Sequence, residues 1–175
     1  MASITQKFSL RTWQLADKKS LAKHANNIRV WNNLRDAFPH PYTEYDGELF
    51  IQMVLNKPTP TTDFVIDIDG EAVGGIGIVL NKDVERISAE IGYWLSEDYW
   101  NKGIMSQVIK QISEYVFTEL PIIKIYANVF SHNKASMRVL EKVGFIKEGI
   151  LKQTAIKNGK VIDFHCYGLL KAGQQ

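Results

Sequence analysis

The sequence lacks the residues that would tie it to several function classes. It has one cysteine, Cys166, so no disulfide can form within the chain, and this fits a reducing compartment. No apolar run approaches bilayer-spanning length, and Met1 to Gln14 has no apolar core of the kind a signal peptide needs. The expected setting is the cytoplasm. The formal net charge is only +2, too small to argue for nucleic acid, although a weakly basic balance suits an anionic ligand. The four histidines, His24, His40, His132 and His165, show no metal-ligand spacing. There is no internal repeat and no low-complexity tract.

What is present is ordinary for a globular chain. Of the 175 residues, 45% are hydrophobic and 23% charged, enough for one domain with a sizeable core. Phe8 to Trp13 alternates as a strand. Asp17 is placed to cap a helix carrying Leu21 and Ala25, and Ile28 to Phe38 reads as a second helical piece. Pro39 to Thr43 is a loop, and Thr43 can cap a helix over Glu44 to Asn56 with apolar Leu49, Phe50, Met53 and Val54 on one side. Lys57 to Thr62 connects to a strand over Asp63 to Asp69, an Asp-Gly hairpin turn, and a return strand Ala72 to Leu80. Within it, Gly74-Gly75-Ile-Gly77 marks a bulge or a close backbone contact rather than a nucleotide loop. Ile87 to Leu95 is a further strand, and Lys102 to Leu120 a long helix with Ile104, Val108, Ile112 and Val116 on one face. Ile122 to Val129 is a strand, Asn133 to Val143 a helix ended by Gly144, and Phe145 to Leu170 a hairpin around Asn158-Gly159. Antiparallel strands come first, then strand–helix–strand–helix, then a hairpin: an α+β architecture with a mixed sheet.

One stretch organises the rest. In Glu90 to Gln107 an apolar strand runs through a polar turn, ending at Lys102-Gly103, into the long helix. The N–H groups and the dipole at such a helix start favour an anion such as a phosphate. The same place also reads as a plain helix start capped by water. Glu90, on an otherwise apolar strand, is either a general base for an ammonium group or a side chain on the solvated face. Asn133 and Ser136 open a helix, where both residue types cap well, and the Ser136 hydroxyl can also donate a proton. Asp163 and His165 share a strand face that is either a pocket wall or exposed surface; Cys166 points the other way and reads as a buried small hydrophobe.

Three segments also resemble one family. AEIGYWLSEDYWNKGIMSQVI resembles the acyl-CoA motif of the GNAT acetyltransferase superfamily, ANVFSHNKASMRVLEKVGF its second cofactor motif, and EGILKQTAIKNGKVIDFHCYGLL its closing hairpin. NNLRDAFPHPYTEYDGELFI is similar to the RimJ/RimL-like branch, which acetylates protein N-termini and has relatives that acetylate small amines. The resemblance covers nearly the whole chain in the right order. It implies a mixed, mostly antiparallel twisted sheet of about seven strands with helices on both faces and a splayed parallel pair in the middle. It implies one acetyltransferase domain over 1–175, with acceptor-side elements in 1–61, the cofactor core in 62–144 and the hairpin in 145–171.

The resemblance further implies acetyl-CoA as co-substrate, its pantetheine arm along the fourth strand and its pyrophosphate on the turn before the long helix. Cofactor contacts would then come from Trp94, Leu95, Asn101, Lys102, Gly103, Ile104, Met105, Ser106, Asn128, Asn133 and Ser136. The turn departs from the family's small residues at Asn101 and Met105, and the tyrosine that many members use as acid is replaced by Leu140. Ser136 then becomes the expected acid toward sulfur and Glu90 the expected base, with Arg35, Tyr42 and Asp163 on the acceptor side. The expected partners are an amine acceptor, either a peptide N-terminus or a small molecule, and a second copy of the chain, with neither nucleic acid nor membrane. The alternative is a CoA-binding sensor or assembly module with the same fold and no turnover.

Overall fold

Residues 7–173 are described by a computed structural model. In chain order the elements are β1 (Ser9–Arg11), α1 (Lys18–Ala25), α2 (Ile28–Trp31), α3 (Glu44–Leu55), β2 (Asp63–Ile68), β3 (Glu71–Leu80), β4 (Ser88–Leu95), α4 (Ile104–Glu119), β5 (Lys124–Phe130), α5 (Lys134–Val143), β6 (Ile146–Lys157) and β7 (Lys160–Leu170). The strands form one seven-stranded sheet in the order β1-β2-β3-β4-β5-β7-β6. It is mostly antiparallel, with β4 and β5 as its parallel pair. Both hairpin turns expected from Asp-Gly and Asn-Gly form: Asp69 and Gly70 have φ of 53° and 85°, Asn158 and Gly159 of 52° and 71°. Two successive positive φ angles match the twist of the strands they join.

The chain separates into two compact units. The first comprises Met1–Gly77 with Tyr93–Ile104, and the second Ile78–Gly92 with Met105–Gln175. The first is built on Trp13, Leu21, Ala25, Tyr42, Ile51, Val65 and Ala72, with Phe38, Phe50, Val54 and Trp94 packed against them. Trp13 meets Phe50 edge-on at 5.2 Å between ring centroids, a favoured aromatic geometry. In the second unit Val108, Ile109, Ile112 and Val116 of α4 are buried, as are Ile125, Ala127 and Val129 of β5 and Leu140 of α5. The 3.6-residue period of α4 and the two-residue period of β5 thus each deliver one apolar face.

Four local expectations are corrected. Asp17 does not cap α1; its carboxylate accepts from the Gln14 N–H at 2.9 Å and from the Arg11 guanidinium at 2.7 and 2.8 Å. A charged fork outcompetes a backbone amide for that carboxylate. The second helical piece stops at Trp31, because the Asn-Asn-Leu-Arg-Asp run that follows competes for its own backbone and forms successive turns. On α3, capped reciprocally by Thr43 and Asp46, Gly47 and Ile51 are buried whereas Leu49 and Met53 stay exposed. Gly47 sets that face: a Cβ there would lie 3.2 Å from the Lys18 carbonyl oxygen, so the helix approaches α1 through its smallest residue. Cys166 is half-buried rather than enclosed.

The glycine run in β3 does mark a close approach. A Cβ on Gly74 would lie 2.6 Å from the Trp94 carbonyl oxygen, and one on Gly75 3.0 Å from the Trp94 indole nitrogen. Gly74→Ala is therefore expected to cost about 2 kcal/mol in urea unfolding, since a backbone atom must yield. Gly92→Ala, with nothing within 4 Å of the added carbon, is expected to change stability by less than about 0.5 kcal/mol. Equal effects of the two substitutions would contradict this account of β3.

Candidate active site

The parallel partnership of β4 with β5 is three residue pairs long: Ser88 with Lys124, Ala89 with Ile125, Glu90 with Tyr126. Beyond Tyr126, β5 remains paired with β7 as far as Phe130 with Phe164. β4 runs on to Leu95 without a β5 partner. The strands therefore part directly after Glu90. Paired residues share a sheet face, so Glu90 lies on the face of Tyr126, Asn128 and Cys166. At the parting point the Asn128 side-chain amide donates to Glu90 Oε1 at 3.3 Å. A half-buried carboxylate is thus held by an amide where backbone pairing ends.

Asp163 and His165 belong to the other face, since Cys166 pairs with Asn128 and His165 with Val129. The Asp163 carboxylate accepts from Lys152 Nζ at 3.0 Å and from the Gln153 N–H at 2.8 Å, and these bonds hold it below the usual carboxylate range. Burial, with Lys147 and Lys134 nearby, pushes the His165 imidazole down, so it is neutral at pH 7. Its Nδ1 is buried with no hydrogen-bond partner. Cys166 is the residue whose neighbourhood sequence reasoning missed. Alternation set it opposite His165, but only the β5–β7 register puts it beside Asn128 on the face of Glu90. Burial, together with the Glu148 and Glu90 carboxylates, pushes its thiol up.

The start of α5 is built as the sequence suggested. Asn133 Oδ1 accepts from the Ser136 N–H at 3.1 Å, capping the helix. Ser136 is half-buried, whereas Leu140 is fully buried and contributes only packing. The turn before α4 has Asn101 at φ 61° and Gly103 at φ 73°. Nothing lies within 4 Å of a carbon added at Gly103, so the backbone there faces open space. Ile104 and Met105 are buried, which places the bulky Met105 side chain inward, and Ser106 is half-buried. Asn101 and Lys102 are exposed, with Lys102 Nζ 5.0 Å from the Tyr99 ring centroid. The Trp100 indole N–H donates to the Leu95 carbonyl at 2.8 Å, closing the turn on the end of β4. Trp94 packs edge-on against Phe38 at 5.7 Å. An open, strained turn feeding a helix start suits a polyphosphate.

Arg35 and Tyr42 lie in the first unit. Arg35 is exposed; Tyr42 is buried against Phe38 at 4.8 Å, and burial pushes its phenol well above the ordinary value. Tyr42 is therefore core more than surface. An open polar depression of about 500 Å³ in the first unit is lined by Arg11, Asp17, Lys23, Asp67 and Glu71. These charges satisfy one another through Arg11–Asp17, Arg11–Asp67 and Lys23–Glu71 pairs, so the hollow is a salt-bridged surface rather than the reaction site. Among the described residues no group of three or more His, Cys, Asp or Glu is placed to hold a metal.

Comparison with known proteins matches residues 7–146 to the acetyltransferase (GNAT) domain family. The chain is 33% identical over 153 residues to a spermidine N(1)-acetyltransferase of Escherichia coli (strain K12), covering 86% of this chain and 79% of that one. It is 28% identical over 172 residues to the "Uncharacterized N-acetyltransferase p20" of Bacillus licheniformis, covering 95% and 94%. Among solved structures it resembles RimL, a ribosomal L7/L12 alpha-N-protein acetyltransferase in complex with coenzyme A. The TM-score is 0.83 at 21% identity, covering 95% of this chain and 96% of that one. This likeness carries the fold.

The raised thiol gives a direct check on the Glu90 face. Iodoacetamide at pH 8 is expected to alkylate Cys166 at least tenfold more slowly than it does glutathione (an order-of-magnitude figure), with the gap closing above pH 9. Labelling as fast as glutathione at pH 8 would contradict the half-buried, acid-flanked placement.

Proposed function

The chain belongs to the GNAT acetyltransferase family and is an acetyl-CoA-dependent N-acetyltransferase, and we propose how its residues divide the transfer of an acetyl group to an amine. The observation that carries this reading is the Glu90–Asn128 hydrogen bond at the point where β4 leaves β5. The thioester of acetyl-CoA supplies the activated acetyl group. The residues present suit it. The Asn101–Ser106 turn, open at Gly103, takes the pyrophosphate, and Lys102 adds a cation there. Trp94, Leu95, Asn128 and Asn133 are the further residues that the family resemblance assigns to the cofactor.

An ammonium group cannot attack, so its proton must leave first. Glu90 accepts that proton, directly or through one water, while the Asn128 amide holds the carboxylate in place. The nitrogen–carbon bond then forms as the carbon–sulfur bond breaks; the attacking nitrogen sheds its second proton, and the Ser136 hydroxyl relays a proton to the departing sulfur and is reprotonated from that nitrogen, leaving an amide and a free thiol. No covalent acyl-enzyme is involved. Much of the rate comes from holding the two reactants in line. Asp163 is engaged by Lys152 and Gln153 on the opposite face from Glu90, so it takes no part in seating the amine that Glu90 serves. Arg35 is the acceptor-side residue that remains at the surface.

The acceptor class is an amine, either a small polyamine or a peptide N-terminus. A panel containing spermidine and an alanine-initiated peptide separates these by release of free CoA thiol. No helix among the described residues is long and apolar enough to cross a membrane. Association with a second copy would use the edge strand β6, where Ile146, Leu151 and Ile156 are exposed.

Glu90→Gln is expected to lower kcat about 100-fold at pH 7 with CoA affinity unchanged. The defect should shrink as the pH rises through the amine's own pKa, because the acceptor then arrives neutral. A kcat within threefold of wild type at pH 7 (a factor set by ordinary assay scatter, about 0.6 kcal/mol) would remove Glu90 from the proton path.

A further inference from the structure

The segment between the end of β4 and the start of α4 is gripped at three successive points by α1 and α2. Ser96, buried, donates its N–H to the Val73 carbonyl at 2.8 Å, and its hydroxyl lies 3.1 Å from His24 Nδ1. His24 Nε2 lies 2.7 Å from Glu71 Oε2. A carboxylate only accepts, so His24 Nε2 carries the proton of the bond to Glu71. One residue on, the Glu97 carboxylate accepts from Asn27 Nδ2 at 2.9 Å and from the Arg29 guanidinium. Arg29 also lies over the Trp100 ring, 5.6 Å from its centroid. All of these residues belong to the first unit.

The turn that follows needs such support. Asn101 and Gly103 both occupy the left-handed region, and a non-glycine residue there persists only when its surroundings over-determine it. A turn ordered in advance also spares the ligand the cost of ordering it. Glu97 adds a second constraint, because its carboxylate sits in the loop proposed to receive a polyphosphate. Arg29 neutralises that charge where it would otherwise repel the ligand.

We propose that Asn27 and Arg29 are positioning residues for acetyl-CoA, acting through Glu97 and Trp100 to hold the Asn101–Gly103 turn in its binding conformation before the cofactor arrives. This rests on the assignment of that turn to the pyrophosphate. The acceptor-side helices thereby set the affinity of the cofactor turn.

The test uses Arg29→Ala and Asn27→Asp. The aspartate keeps an acceptor for the Arg29 and Val30 N–H groups that Asn27 caps, but sets a carboxylate against Glu97. Calorimetric Kd for CoA is expected to rise about fivefold in Arg29→Ala and about tenfold in Asn27→Asp. KM for acetyl-CoA, read with the panel amine that turns over, should follow while kcat stays within about twofold. Melting temperatures without ligand should stay within about 2 °C of wild type. If wild type binds CoA and both variants match it within twofold (about 0.4 kcal/mol), the proposal is overturned and the turn assignment stands. A large fall in melting temperature alongside the affinity loss would overturn it too, in favour of a general role in the fold. If wild type itself shows no saturable CoA binding, the turn assignment fails and the proposal with it.

Discussion

The rest of the site depends on the early end of one backbone ladder. Three pairs join β4 to β5, and after Glu90 the two strands part. Parallel strands inside a sheet normally remain paired, because an unpaired backbone group away from water is costly. A strand that gives up its neighbour in mid-sheet leaves backbone positions for another partner. In this chain the departing strand carries Glu90 at the fork and Gly92 beyond it, where an added carbon would meet nothing within 4 Å. The place of the carboxylate at the fork follows from one register, fixed on the far side by seven β5–β7 pairs that do not slip.

That same register decides which polar side chains can cooperate. Glu90, Asn128 and Cys166 fall on one face, Asp163 and His165 on the other. The division makes chemical sense of the charges. Asp163 is neutralised by Lys152, and His165 is held neutral by burial and nearby lysines. Glu90 accepts from the Asn128 amide, which orients its carboxylate at the fork.

Much of this was legible in the sequence, and the parts that were not share a cause. Two-residue alternation and the Asp-Gly and Asn-Gly turns located the strands, and the 3.6-residue period located α4 to within two residues at its start. The glycines of β3 announced a close approach, which proved to be the Trp94 backbone and indole. Resemblance supplied the order of the motifs and the replacement of an acid at Leu140, whose complete burial agrees with a packing role. Register across β5 and β7 was not legible, because alternation fixes faces within one strand and not between strands. Cys166 was therefore unplaced relative to Glu90, and Asp163 could not be told to lie on the opposite face from it. The α3 face was misread for a related reason: Gly47, with no side chain to count, is where that helix makes its closest approach.

The central proposal is that the end of β4 beyond Glu90 and the turn before α4 receive acetyl-CoA. Hydrogen–deuterium exchange with and without CoA tests it most directly, since it reports where backbone amides gain a partner. The account predicts protection at the end of β4 beyond Glu90 and over residues 101–106, with little change along β6. Saturable CoA binding that leaves both of those segments exchanging as fast as before would contradict it.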